Sequence, residues 1–264
     1  KKQNKKSRKM HEILEFARED LSLAPNIIGV HGLSIESESA RANSHVLGND
    51  MIVSYPAPQY FQLCKAANDM DRPACLRHKV SLRANNTADM SWSCDAKKMI
   101  DLPNAGGTSV FSEALSLEIL QRAFNAKLEK TEMEIEYWPH GSKITDYSCK
   151  LWNQVIGVSV TRAFKHNGEY DRDDAQKLLH KKLFGVLMST QNVLKQHAWK
   201  KQILHAICPS QDVADLMQEE FCKFPAKMIH NTVLLLSVCS NAEWIFKSNY
   251  KDAGMPLSVQ QYLM

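Results

Sequence analysis

Six lysines, Lys177, Lys181, Lys182, Lys195, Lys200 and Lys201, stand between Ala175 and Gln211, and that stretch holds no Asp or Glu. Clustered cations of this kind attract a phosphate backbone by releasing its counterions. His180, His197 and Trp199 fall among them, and an aromatic ring in such a patch can stack on a base. The plainer use of the same residues is a solvated helix face, with lysines complementing the helix C-terminus. Upstream, Glu132 to Arg162 reads as three strand-like runs, with Asp146 the single acid inside the second. The third run ends Ser159-Val160-Thr161-Arg162. Residues two apart on a strand share a face, so Ser159 and Thr161 point the same way. Arg162, at the strand end, is placed to contact phosphate or to pair with Asp146 or a glutamate.

The elements that must position these groups follow from the hydrophobic pattern. A helix is predicted over 109–128, where Leu117, Leu120 and Phe124 recur at helical spacing and Ser109 or Ser112 suits the N-cap. Over 131–138, Met133, Ile135 and Tyr137 alternate with Glu132, Glu134 and Glu136, the pattern of a half-buried strand. Strands follow over 142–152 and 155–164, joined by a tight hairpin at Trp152-Asn153-Gln154. A long helix over 173–195, capped by Asp171 or Asp173, leads to a strand at 202–208, a helix at 211–222, a buried strand at 231–239 and a helix at 241–249. The order from 109 is αβββαβαβα. Before it, a helix is expected over 10–23, a strand over 26–35, an exposed loop over 36–49, a short apolar run from Met51 to Ser54, a helix over 59–69 and a strand in Lys79–Ala84.

That order, with Asp146 in its second strand, resembles the PD-(D/E)XK restriction-endonuclease-like superfamily over about residues 109–210. The resemblance implies an αβββαβ core in which acids of the second and third strands hold Mg²⁺. A lysine two residues beyond the second acid then positions or activates the attacking water. Mg²⁺ asks for hard oxygen ligands in near-octahedral geometry, so the carboxylates must lie close together. Carried over, Asp146 is the first acid, catalytic and a metal ligand. At the other two positions the chain departs from the pattern: Ser159 stands where the second acid belongs, and Thr161 takes the lysine's place without its charge. The resemblance sends the missing groups elsewhere. Glu113 and Glu118 on the preceding helix, where many members carry an additional acid, and Glu134 on the first strand, with Glu136 beside it, are the further candidate metal ligands. Lys181 or Lys177, on the crossover helix, is the candidate catalytic lysine. Gln176 and His180, at i and i+4, resemble a helix motif of some members. Nucleic-acid contacts fall to Arg162, Lys177, Lys181, Lys182, Lys200 and Lys201. Each has a plainer reading beside it: alternating glutamates as a solvent face, Val and Thr as good strand formers, an Arg–Asp pair as structural.

Composition sets the bounds. The 264 residues are 44% hydrophobic and 23% charged, with a formal net charge of +4, ordinary for a globular protein. Seven cysteines, an odd number without a CxxC pair, point to a reducing compartment, nucleus or cytosol. Cys75 with His78 is the one short-spaced Cys/His pair, and a zinc site there would need Cys64 and Cys94 as well. No run approaches the roughly 20 apolar residues of a membrane span, and the polar N-terminus argues against a signal peptide. The opening KKQNKKSRK reads as an import signal, a nucleic-acid arm or a solubilising tail. There is no GxGxxG, Walker loop, GxSxG or HExxH.

The expectation is an α/β protein with a mixed central sheet and flanking helices. It divides into a disordered basic tail (1–9), an α+β region (10–105) that packs against the sheet or extends it, a PD-(D/E)XK-like domain (106–252) and a C-terminal tail (253–264), with the break at Pro103–Gly107. The expected function is binding or Mg²⁺-dependent hydrolysis of nucleic acid, DNA or RNA, in nucleus or cytoplasm. The alternative is a catalytically inactive nuclease-fold scaffold or protein-interaction module.

Overall fold

The computed structural model describes residues 43–103 and 109–246. The expected helix over 10–23, the strand over 26–35 and both tails lie outside the described residues.

β8 (Val233–Ser240) shows how the core is built, because its side chains alternate between two hydrophobic layers. Val233 and Leu235 face one cluster and Leu234 and Leu236 the other. A strand buried on both faces reads as a continuous apolar run, which is why VLLLSVC carries no polar alternation. Around it lies one eight-stranded sheet in the order β1-β2-β3-β8-β7-β6-β5-β4. Its other strands are β1 (Asn43–Leu47), β2 (Met51–Pro56), β3 (Ala74–Leu82), β4 (Lys127–Thr131), β5 (Tyr147–Leu151), β6 (Gln154–Arg162) and β7 (Lys201–Cys208). β3, β8, β7 and β6 run parallel. The hairpins β1–β2–β3 and β4–β5–β6 flank them antiparallel. Strands from both sides of the Pro103–Gly107 break thus share one sheet, and β3 pairs directly with β8.

Helices cover both faces. α1 (Ala57–Asn68), α2 (Cys94–Asp101) and α3 (Val110–Phe124) lie on one side. α4 (Arg172–Asn192) and α5 (Gln211–Phe221) lie on the other, with the short α6 (Ala226–Ile229); α7 (Glu243–Phe246) joins the first side. α3 is buried nearly all round, enclosed by sheet and neighbours, and Ser112, Glu113, Ser116 and Glu118 are buried with its apolar residues. From α3 onward the order α3-β4-β5-β6-α4-β7 is the expected αβββαβ, with β4, β5 and β6 as consecutive antiparallel neighbours and β7 parallel to β6.

Several boundaries differ from expectation. β1 (Asn43–Leu47) lies where an exposed loop over 36–49 is expected, because a polar segment at the sheet edge is held by its ladder to β2 and not by a local hydrophobic pattern. β3 runs Ala74–Leu82, beginning five residues before the expected strand at Lys79–Ala84. The first strand of the meander is β4, not 131–138. Thr131 caps a short 3₁₀ turn at Glu132–Glu134, its side chain and the Glu134 carboxylate closing a capping box. That turn ends the strand and leaves Met133 exposed while Glu132 is buried. The second strand begins at Tyr147 rather than 142. The hairpin falls where expected: Trp152 and Asn153 have φ of 43° and 69°, as a two-residue turn matching strand twist requires. Asp171 caps α4, accepting from Asp174 N at 2.9 Å.

Candidate active site

The site begins with an overhang. The last β5–β6 partners are Tyr147 and Val158, yet β6 continues beside β7 to Arg162. The backbone groups of β6 that face β5 therefore run out of strand partners at Val160, and buried peptide groups must find others. Val160 N–H donates to Asp146 Oδ2, and Val160 C=O accepts from Lys182 Nζ at 2.7 Å. Asp146, just before β5, is held in turn by its own N–H donating to Val158 O at 3.2 Å. One residue of β6 thus fixes an acid from the β5 approach and a lysine from the middle of α4.

Glu113, in the first turn of α3, completes the group. It is only 4% exposed and accepts from Ser109 Oγ at 2.6 Å. Burial first, then the neighbouring charge of Asp146 and that of Glu132, push its carboxyl up to about 8, against the pull of Ser109 and Lys182. Burial also raises Asp146, opposed by the Lys182 ammonium and the Val160 N–H. Glu113, Val160, Thr161, Arg162 and Lys182 line one cleft of about 230 Å³. Thr161 is at its wall, whereas Ser159 turns to Thr145, Oγ to Oγ1 at 3.2 Å.

The remaining candidates disperse. Glu118 is occupied by Arg122 Nε at 2.8 Å and by the N–H of Ser93. Glu134 binds Lys98 Nζ at 2.8 Å and the Thr131 N–H at 2.8 Å. Neither reaches Asp146, because each already has a cation and a backbone donor. Lys181 and Lys177 are exposed on α4, and Lys182 takes the position expected of Lys181. Helical phase explains the choice, since Lys182 follows Leu179 by three residues on the buried side that Ala175 and Val186 also occupy. Arg162 lines the cleft but donates from Nη1 to Ile245 O at 2.7 Å, so it ties down α7 instead of pairing with Asp146.

The acid-free stretch does not form one face. Lys201 is fully buried and donates to the carbonyls of Asp69 at 2.7 Å and Arg72 at 2.5 Å, with burial lowering its pKa to about 8. It is a core strut and cannot contact phosphate. Trp199 packs on Gly157 and donates to Thr190 Oγ1 at 3.0 Å, so it offers no face to a base. Lys200 is exposed, but Lys201 pairs with Ile156 while Arg162 pairs with Ile207. That places Lys200 about 20 Å from the cleft along the sheet. Cys75 and His78 point to opposite faces of β3, into different clusters. Among the described residues no three His, Cys, Asp or Glu side chains are grouped to hold a metal ion, and no helix is long and apolar enough to cross a membrane.

Sequence reading missed Lys182 as the site lysine and Glu132 as a charge felt by Glu113. A helical-phase count on α4 identifies the first. The Thr131-x-x-Glu134 capping box signals the 3₁₀ turn that turns Glu132 inward, but the nearness of Glu132 to Glu113 has no local mark.

Fold and site define an α/β protein with a meander–crossover core and a Glu–Asp–Lys group where β6 outruns β5. No protein-family model matches the chain. A Dictyostelium discoideum protein described as "AAC-rich mRNA clone AAC4 protein" is 44% identical over 170 residues, 61% of this chain and 25% of that protein. The chain therefore spans about a quarter of that relative's length. The structure of Pyrococcus furiosus SfsA in complex with Ca²⁺ is similar at 14% sequence identity and a TM-score of 0.25, over 50% of this chain and 57% of the other. A likeness at that TM-score carries no argument about function.

Proposed function

We propose that this chain is a divergent PD-(D/E)XK-like nuclease that hydrolyses phosphodiesters of nucleic acid, with Glu113, Asp146 and Lys182 as its working residues. The observation that carries the reading is their convergence: three elements deliver two carboxylates and one ammonium to the overhang of β6. A carboxyl perturbed by burial and by a specific charge partner, in a cleft as Glu113 is, makes a functional-site candidate.

Magnesium fits this donor set. The ion commonly takes one or two carboxylates and completes its shell with water and substrate phosphate, and Asp146 and Glu113 are the two that would hold it. The raised carboxyl of Glu113 is the state that an added cation relieves. When bound, the ion supplies Lewis-acid stabilisation of charge on the phosphate. The chain's own residues do the rest. Val160 N–H orients Asp146. Lys182 brings the positive charge that Thr161 lacks, from a helix instead of the strand. Ser109 holds the Glu113 carboxyl against the α3 terminus.

Cleavage of single- and double-stranded DNA and RNA with Mg²⁺ or Mn²⁺ tests the reading, comparing the parent with Asp146→Asn and Lys182→Met. Metal-dependent cleavage lost in both variants is the expected result. A parent that cleaves nothing would replace it with the inactive scaffold, and variants that cleave equally well would remove Asp146 and Lys182 from the chemistry.

A further inference from the structure

The cleft beside Glu113 has two unlike walls. One is polar: Ser112, Thr161, Arg162 and Lys182 line it together with Glu113. Ser112 is 2% exposed, and its Oγ has no hydrogen-bond partner among the described residues. A buried hydroxyl left without a partner carries a desolvation penalty, and here a ligand atom entering the cleft would relieve it. Arg162 commits Nη1 to Ile245 O, and a guanidinium has five N–H donors. The other wall is aromatic. Phe164 is 36% exposed, and its ring is braced by Phe246 and His166, each with its centroid 5.3 Å away.

Size then selects among nucleic acids. The cleft measures about 230 Å³, below the roughly 300 Å³ at which pockets for drug-sized ligands begin. That leaves room beside Phe164 and Lys182 for part of one nucleotide, its base or its phosphate group. A base pair does not fit. The carboxyl of Glu113 also sits below the surface, so the reacting phosphate must leave the regular backbone to reach it. Duplex geometry resists that movement and a single strand does not.

Resting on the nuclease reading of this same site, we propose that the cleft binds one unpaired nucleotide of a single-stranded nucleic acid, with Phe164 as the stacking platform and Ser112 as a phosphate- or sugar-binding hydroxyl. Base-on-aromatic stacking tolerates any sequence, because every base has a π-face. The site would therefore discriminate by strandedness.

The test is equilibrium binding of short fluorescein-labelled single strands, DNA and RNA, and of the matching duplexes. It is done on the full chain carrying Asp146→Asn to block turnover, then with Phe164→Ala, Phe164→Leu or Phe164→Trp added. The single strand should bind at least about tenfold more tightly than duplex, and Phe164→Ala and Phe164→Leu should each lose about tenfold for the single strand alone, the scale of one stacked base. Phe164→Trp should retain affinity, and Leu controls for lost apolar bulk. Duplex bound as tightly as single strand, no effect of Phe164→Ala, or no binding of either strand would overturn the inference. The two readings separate cleanly. A parent that cleaves duplex regardless of Phe164 keeps the nuclease and loses the cleft, while Phe164-dependent binding of a single strand that the parent never cleaves keeps the cleft and loses the catalysis.

Discussion

Glu113 and Glu118 lie less than two turns apart on α3, both buried, and their surroundings could hardly differ more. Glu118 shares Arg122 with Asp50. The guanidinium gives Nε to Glu118 at 2.8 Å and both Nη atoms to Asp50, at 2.6 and 3.0 Å, and Ser93 N–H adds a further bond to Glu118. Burial pushes the Asp50 carboxyl up, yet the hydrogen bonds and charge of Arg122 and the Ser91 N–H hold it below its ordinary value. Glu113 has a serine hydroxyl and a second acid for neighbours, the charge of Lys182 offsets burial and the acids only in part, and its carboxyl rises to about 8. A buried carboxylate given a fork of cationic donors is spent on holding the fold. One left beside another acid stores an unmet demand for a cation, and such a demand is what a catalytic metal site needs.

The sharpest way to break this contrast is Arg122→Met. It strands two buried carboxylates, so unfolding stability should drop by about 3–5 kcal/mol, read by denaturant titration. A drop under about 1 kcal/mol would show that the Asp50–Arg122–Glu118 group is not structural.

Glu113→Gln should do the reverse, abolishing metal-dependent cleavage while leaving the fold at least as stable at alkaline pH. The sign follows from the direction of its shift. A carboxyl raised from its ordinary 4.5 to about 8 in the native state binds more protons folded than unfolded. Its contribution is present below pH 4.5 and lost as pH rises through about 8. Stability of the parent should therefore decline over that window, and the Gln variant should decline less. Parallel profiles would mean that Glu113 is satisfied after all.

The acid limb is set elsewhere. Tyr147 OH, Ser116 Oγ, His205, Ser237 Oγ and His78 form a hydrogen-bonded chain across the buried sheet face, with links of 2.6–2.7 Å. Burial lowers His78 from 6.5 to about 4 and lowers His205 as well. A depressed histidine binds fewer protons folded than unfolded, so stability is full above pH 6.5 and falls as pH drops toward about 4. His78→Asn should flatten that limb by about one proton's worth of slope, measured as unfolding free energy against pH.

The smallest effect belongs to Lys200→Glu. At about 20 Å from the cleft along the sheet, it is beyond the roughly 8 Å screening length of physiological salt. Nucleic-acid affinity at that ionic strength should not change, whereas Lys182→Met should weaken it. A marked loss with Lys200→Glu would relocate the binding face to the other end of the sheet.

Much of the fold was legible because it is written locally. Runs such as VLLLSVC and the α4 pattern of Leu179, Leu183 and Val186 declare their period within a few residues. The miss at 131–138 has an equally local cause in the other direction: the alternation of Glu132, Glu134 and Glu136 satisfies a strand template, but Thr131 and Glu134 also satisfy a capping box, and the box prevailed. Asp146 and Glu113 were named from the sequence. The sequence puts Lys182 and Lys201 alike among surface phosphate contacts, whereas Lys182 reaches the Val160 carbonyl and Lys201 is buried.

Element order, helix caps, the Trp152–Asn153 turn and the short supply of acids for a metal site were determined by the chain alone, since each depends on residues within a turn or a strand of one another. Which acids stand together was decided only by the tertiary structure. Glu113 and Glu118 look alike in sequence, and they differ because Arg122 reaches Asp50, 72 residues away, and because β6 outruns β5 at Val160. A carboxylate's role depends on the charges and donors within a few ångströms of it, and those partners arrive from distant parts of the chain.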